Sequence, residues 1–217
     1  MTFSALVLDI EGTVCPISFV KETLFPYFLQ KVDSLPRSED THIQSLLQQF
    51  KTDDVVDQIR SLVSRDVKDP ILKELQGLVW QHGYASGEIT APVYADAVDF
   101  IEKTDKPVYI YSSGSVKAQK LLFQYVKSQQ ETIDLRPRIQ NYYDINTSGI
   151  KTDAESYVRI AKDIGLPAGD ILFLSDNSLE LKAAQHAGFQ VRLAIRPGNL
   201  PVDDQSRYSI ITDFSVL

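Results

Sequence analysis

The sequence predicts an α/β fold: a parallel β-sheet covered by helices on both faces and opened after its first strand by an all-helical insertion. Three observations predict it. Short apolar runs end abruptly in polar or glycine-containing turns, as Ala5-Leu6-Val7-Leu8 does before Asp9-Ile10-Glu11-Gly12-Thr13. A buried parallel strand reads this way. Amphipathic helical stretches alternate with such runs, which is the grammar of strand–helix–strand units. Between about Pro16 and Glu88 no strand pattern occurs.

Taken in order, the first strand is Ala5-Leu6-Val7-Leu8. Gly12 lets the chain turn sharply away from it, and the Thr13 hydroxyl is expected to fix that turn by bonding nearby backbone. Helices are predicted over residues 20–32, 41–50, 53–63 and 70–82, joined by polar turns such as Ser34-Leu35-Pro36-Arg37. A helix over 95–103 then leads into a second strand over 107–111. In 153–165 the apolar residues Tyr157, Ile160, Ala161 and Ile164 make one buried helical face, with Gly165 as its stop. Further strands are expected over 170–174 and 190–195, separated by a helix over 179–187 that ends at Gly188, and 208–212 adds an edge strand. The crossovers are expected to be right-handed. The resulting domains are 1–15 with 90–217 as the sheet core, and 16–89 as a helical cap.

Bulk properties narrow the function. The chain has 217 residues, 43% of them hydrophobic, enough for a sizeable core. Its single cysteine, Cys15, permits no intrachain disulfide and fits a reducing compartment. Met1-Thr2-Phe3-Ser4 has no basic segment leading into an apolar one, so no secretory leader is expected. No apolar stretch is long enough to span a bilayer. A formal net charge of -7 argues against a nucleic-acid partner. It leaves room for a small phosphorylated substrate, whose charge a metal ion and one or two lysines can offset. A cytoplasmic monomer is the expected state, with the nucleus as a second compartment.

Four elements carry chemistry, and each falls at the carboxyl end of a predicted strand or just before a helix. They are Asp9 with Glu11; Ser112-Ser113-Gly114; Lys151, with Gly149 two residues before it; and Ser175-Asp176-Asn177, with Glu180 beyond it. Open α/β sheets bind ligands at that edge. Each element alone has an ordinary alternative: solvated carboxylates, a turn and helix cap, a surface lysine, an N-cap. Together, in this order, they fit metal-assisted phosphoryl transfer.

That order resembles the haloacid dehalogenase superfamily of phosphatases. In finer detail, DIEGTVCPISFVKETLFPY over 9–27 is similar to the opening of the enolase-phosphatases, or acireductone synthases. So are LQGLVW over 75–80 with Gly83-Tyr84 and Gly87-Glu88, YIYSSGSVKAQK over 109–120, and Arg196-Pro197-Gly198-Asn199. The resemblance implies a Rossmann-like core with an inserted helical cap. It also implies a reaction of methionine salvage: 2,3-diketo-5-methylthiopentyl 1-phosphate is enolised and then dephosphorylated to an acireductone. Asp9 would be the nucleophile, and Mg²⁺ would be held by Asp9, the Glu11 backbone carbonyl and Asp176. Lys151 would neutralise a phosphoryl oxygen. Ser112 or Ser113, with the Gly114 N–H, would bond the phosphoryl group.

Glu11 departs from the aspartate usual at that position in the superfamily. Its side chain is longer by about 1.5 Å, a reach that could serve proton transfer on the carbon skeleton as well as on the leaving oxygen. Glu180 is read as orienting Lys151 or a metal-bound water rather than as a ligand. Phe19, Leu24, Phe25, Phe28, Trp80 and Tyr84 offer apolar walls for a methylthio tail, with cap core as their ordinary role. Lys73 is a candidate for the diketone oxygens; His82 is read as a helix-end residue. Cys15 is read as a small buried side chain. The alternatives are a phosphatase of the same superfamily acting on another small phosphate ester, or a catalytically idle binding protein on this scaffold.

Overall fold

The computed structural model of the chain describes residues 2–65, 67, 69–129 and 131–217. Met1 of the leader reading, Asp66 and Lys68 of the helical insertion, and Gln130 lie outside the described residues. The chain divides into two compact units, Met1–Phe19 joined to Thr90–Leu217, and Val20–Ile89. Phe19, read from the sequence as part of the insertion, is buried in the first unit.

Strand β1 (Ala5–Leu8) opens the first unit, and all four of its residues are buried. A strand covered on both faces needs no polar alternation, which explains the unbroken apolar run. The helical unit follows with α1 (Phe25–Lys31), α2 (Thr41–Gln49), α3 (Val55–Ser64) and α4 (Pro70–Ala85). Asp40, Asp54 and Asp69 cap α2, α3 and α4, each side chain accepting backbone N–H bonds from the first turn. Phe28, Ile43, Leu46, Ile59, Leu72 and Leu75 form this unit's own core. The single helix expected over 20–32 is instead a π-helical turn, Val20–Leu24, then α1, then a 3₁₀ helix, Val32–Arg37. Pro26 accounts for the first change, because it has no N–H to bond back and its ring crowds the preceding turn. The polar turn expected at Ser34-Leu35-Pro36-Arg37 lies inside that 3₁₀ helix.

The rest of the first unit contains α5 (Ala95–Lys103), β2 (Val108–Tyr111), α6 (Val116–Gln124), β3 (Val126–Ser128), β4 (Glu131–Ile133) and β5 (Ile139–Tyr143). It continues with α7 (Ala154–Ile164), β6 (Ile171–Ser175), α8 (Ser178–His186), β7 (Gln190–Ala194) and β8 (Ser209–Ile211). Six strands form one sheet in the order β5-β2-β1-β6-β7-β8. Every pairing in it is parallel. The fold is therefore the α/β parallel sheet flanked by helices that the sequence predicts. Val7, Tyr111, Phe173 and Leu193 of the sheet pack on Tyr157 and Ile160 of α7 and Leu181 and Ala184 of α8.

Two features were not expected. β5 forms the edge opposite β8, and β3 pairs with β4 as a separate antiparallel hairpin. Among the described residues, no helix is long and apolar enough to cross a membrane.

Candidate active site

The central strand β1 delivers Asp9 to the carboxyl edge of the sheet, where its N–H donates to Leu174 O at 3.0 Å. The chain then turns tightly. Ile10 O accepts from the N–H groups of Thr13, Val14 and Cys15 at 3.2, 3.0 and 3.0 Å, and Gly12 N–H donates to Cys15 O at 2.8 Å. Gly12 has φ +72°, and a side chain there would strike the Asp176 carboxylate. The expected role of the Thr13 hydroxyl does not hold. The hydroxyl is buried without a hydrogen-bond partner among the described residues, and backbone bonds close the turn.

Lys151 is buried beside Asp9. Its ammonium lies 2.5 Å from Asp9 Oδ1 and 2.8 Å from Glu180 Oε2. Burial pulls the lysine pKa down, but the charges and hydrogen bonds of Asp9 and Glu180 outweigh it and hold the ammonium protonated well above the ordinary lysine range. Ser175 Oγ donates to Glu180 Oε2 at 2.8 Å and lies 3.5 Å from Asp9 Oδ2. Glu180 thus orients the lysine from behind. Burial and the Asp9 charge push its own carboxyl up to about 7, with Lys151 pulling it back. Asp176 is half-buried. Burial first, then the Asp9 charge, raise its carboxyl to about 6. Asn177 caps α8, its side chain accepting from Leu179 N–H at 2.9 Å. The Ser175-Asp176-Asn177 segment is therefore an N-cap and part of the cluster at once.

The loop that carries Lys151 is pinned at four consecutive carbonyls. Ser148 O accepts from Arg159 Nε at 2.6 Å, Gly149 O from Tyr111 Oη at 2.7 Å, Ile150 O from Ser156 Oγ at 2.8 Å, and Lys151 O from Tyr157 Oη at 2.8 Å. Buried Asp144 anchors the start of this loop. It accepts from Asn146 and Thr147 N–H at 2.9 Å each and from Val116 N–H at 3.0 Å. That last bond ties the Lys151 loop to the serine loop. None of Asp144, Tyr111, Ser156 or Arg159 was singled out from the sequence for this role. Their bonds go to backbone, which leaves no spacing signature.

On the serine loop, Ser112 is buried and Ser113 exposed. Gly114 N–H, expected to reach a phosphoryl oxygen, donates to Ser112 Oγ at 3.2 Å. Gln119 Nε2 donates to Gly114 O at 2.7 Å and Tyr143 O at 2.8 Å, fixing the loop to β5. Glu11 is partly exposed and close enough that its charge raises both the Cys15 thiol and Asp176, in each case after burial. The buried Cys15 thiol is held protonated, which fits a packing role.

Beyond the cluster, Arg196 donates to both Asp96 oxygens at 2.7 and 2.6 Å, and its guanidinium lies 4.0 Å from the Tyr94 ring centre. In the helical unit, Leu24, Phe28 and Tyr84 are buried, while Phe25 and Trp80 lie against each other with ring centres 6.2 Å apart. Lys73 is exposed; His82 is exposed 3.7 Å from Asp40.

Residues 3–188 match the family model of the haloacid dehalogenase-like hydrolases. The chain is 62% identical to "Enolase-phosphatase E1" of Lachancea thermotolerans over the whole of both chains. It is 55% identical to the Saccharomyces cerevisiae protein of the same name, covering 99% of this chain and 98% of that one. The crystal structure of the UTR4 protein of Saccharomyces cerevisiae superposes with a TM-score of 0.93 at 54% identity, over all of both chains. The magnesium-bound HAD-hydrolase YfnB of Bacillus subtilis, at a TM-score of 0.64 and 15% identity, shares the fold over 100% of this chain and 97% of its own.

Proposed function

The chain belongs to the haloacid dehalogenase-like hydrolases and, within them, to the enolase-phosphatases, and from that membership we propose its reaction in detail. It enolises 2,3-diketo-5-methylthiopentyl 1-phosphate and then hydrolyses the phosphate, giving the acireductone 1,2-dihydroxy-3-keto-5-methylthiopentene for methionine salvage. The observation that carries this reading is the buried Asp9 carboxylate bonded to Lys151, which Glu180 holds from behind, at the carboxyl edge of the sheet.

Mg²⁺ is the cofactor on this reading. Asp9, Asp176 and the backbone carbonyl of Glu11 would hold it, an all-oxygen set suited to a hard ion. Among the described residues, no cluster of three or more His, Cys, Asp or Glu side chains forms a metal site, and this set needs only two carboxylates and a carbonyl. The raised Asp176 carboxyl, under-compensated beside Asp9, fits a place for a cation. When bound, the ion screens the repulsion between an anionic nucleophile and an anionic phosphate.

The chain's own residues do the rest. An Asp9 oxygen forms the bond to phosphorus as the bond from phosphorus to the substrate oxygen breaks, leaving an aspartyl-phosphate. Glu11 protonates the departing oxygen, then takes a proton from the water that hydrolyses the aspartyl-phosphate. Its longer arm also moves the proton in enolisation. The Lys151 ammonium neutralises phosphoryl charge. The hydroxyls of Ser112 and Ser113 donate to phosphoryl oxygens; Ser112 Oγ accepts from Gly114 N–H, which leaves its own proton free to donate. The protein acts as a monomer in the cytoplasm, with the nucleus as a second compartment.

The test is to incubate the protein and Mg²⁺ with the diketone phosphate and follow enol absorbance and phosphate release together. Both should rise, the enol first. Phosphate release from other small esters with no turnover of the diketone phosphate would reduce the reading to a phosphatase of different specificity.

A further inference from the structure

The turn Arg196-Pro197-Gly198-Asn199 has no part in the reaction derived above, yet its last residue reaches the loop after Asp9. Asn199 Nδ2 donates to Gly12 O at 2.9 Å and to Ala194 O at 3.3 Å. Two carbonyl acceptors fix which end of the amide is nitrogen. Oδ1 therefore faces away from them, buried and without a hydrogen-bond partner among the described residues. A side chain on Gly12 would strike Asp176 Oδ2 and meet Asn199 Oδ1 at 3.0 Å, so both oxygens crowd the bare Cα of Gly12. The buried Arg196, paired with the half-buried Asp96, anchors the turn from which Asn199 projects.

A buried acceptor without a donor calls for an explanation. The hydration shell of a cation held by Asp176 would supply donors there. We propose that Asn199 is a positioning residue of the Mg²⁺ centre. Its amide nitrogen holds Gly12 close against Asp176, and its unpaired oxygen accepts from water of the ion's shell. This rests on the Mg²⁺ reading given above.

The test is Mg²⁺ affinity, measured by calorimetry on metal-free protein alongside urea unfolding in chelator. Asn199→Ala should weaken Mg²⁺ binding about tenfold or more. Gln190→Ala is a matched control. The Gln190 amide nitrogen likewise donates to two backbone carbonyls, Thr2 O at 2.9 Å and Gly169 O at 2.7 Å, and its Oε1 is likewise buried with no hydrogen-bond partner among the described residues. Gln190, however, starts β7, at the amino end of the strands. The control should lose comparable stability and keep Mg²⁺ affinity. Wild-type affinity in Asn199→Ala, or equal weakening in both variants, overturns the proposal. If Asn199→Ala does not fold, Asn199→Ser replaces it, with the same two readings against Gln190→Ala. Absence of Mg²⁺ binding by the wild-type protein overturns the metal reading itself, a separate outcome.

Discussion

Two lysine–carboxylate pairs in this protein have nearly the same length and opposite character. In the helical unit Lys31 and Glu88 meet at 2.7 Å with side chains 37% and 50% exposed. In the sheet unit Lys151 and Glu180 meet at 2.8 Å with side chains 9% and 11% exposed. The first pair trades water for a partner at little net gain and is screened by salt. The second has already lost its water, so each charge depends on the other and on Asp9. Distance says that two groups are paired; burial decides whether the pairing carries consequence. The Arg60–Asp33 ion pair and the His42–Glu74 contact of the helical unit are exposed like the first.

The hardest test of this contrast removes a member of the buried set. Asp9→Asn keeps the shape and loses the anionic nucleophile. Phosphate release should fall by about a thousandfold or more, with the far-ultraviolet circular dichroism unchanged. Near wild-type turnover would remove Asp9 from the chemistry. Lys151→Ala should cost about 3–5 kcal/mol in urea unfolding, because two buried carboxylates are left facing each other. A cost below about 1 kcal/mol would mean that water reaches the cluster freely.

Glu11→Asp makes a smaller change. It keeps a carboxylate of similar pKa and shortens the arm. Hydrolysis of a generic phosphate ester should survive in part, while conversion of the diketone phosphate falls further. Equal fractional loss on both substrates would confine Glu11 to the phosphoryl steps and send the search for the enolisation base elsewhere, to Lys73 first.

The buried carboxyls also set a pH dependence. Folding raises Asp176 from 3.8 to about 6 and Glu180 from 4.5 to about 7. Between those limits the folded chain holds more protons than the unfolded one, so stability falls as pH rises through the window. In chelator, the urea midpoint should decline from about pH 4 to about pH 7, and Asp176→Asn should flatten part of that slope. A midpoint that climbs over the same range would contradict the assignment. The smallest effect belongs to the exposed pair: Lys31→Ala should leave the unfolding midpoint within the scatter of repeated wild-type measurements.

Apolar strands declared themselves in the sequence and polar ones did not. β1, β2 and β6 lie at or beside the middle of the sheet, and burial on both faces writes them as continuous apolar runs, whereas β7, next to an edge strand, carries Arg192 between Val191 and Leu193. β5 lies at an edge, with Gln140 and Asn141 exposed in its middle, and its composition resembles a loop. The β3–β4 hairpin is polar for the same reason. The site divides along a similar line. Asp9, Lys151, Asp176 and Glu180 were legible because charged residues at strand ends and helix starts are conspicuous. Asp144 and the side chains that grip the Lys151 loop were not. Tyr157 was visible only as one of four apolar positions on a helical face, and nothing in that periodicity tells that its hydroxyl ends on a backbone carbonyl. Asn199 bonds only backbone carbonyls with its amide nitrogen, and such bonds leave no pattern in a sequence.

The grip on residues 148–151 has a consequence for how the protein can be switched off. Tyr111 comes from β2, whereas Ser156, Tyr157 and Arg159 all come from the first turns of α7. Three of the four grips on the Lys151 segment thus come from that one helix and one from the sheet. Displacing the amino end of α7 would therefore loosen three of the four bonds that set the ammonium beside Asp9. Activity could then be lost with every residue of the Asp9 cluster intact.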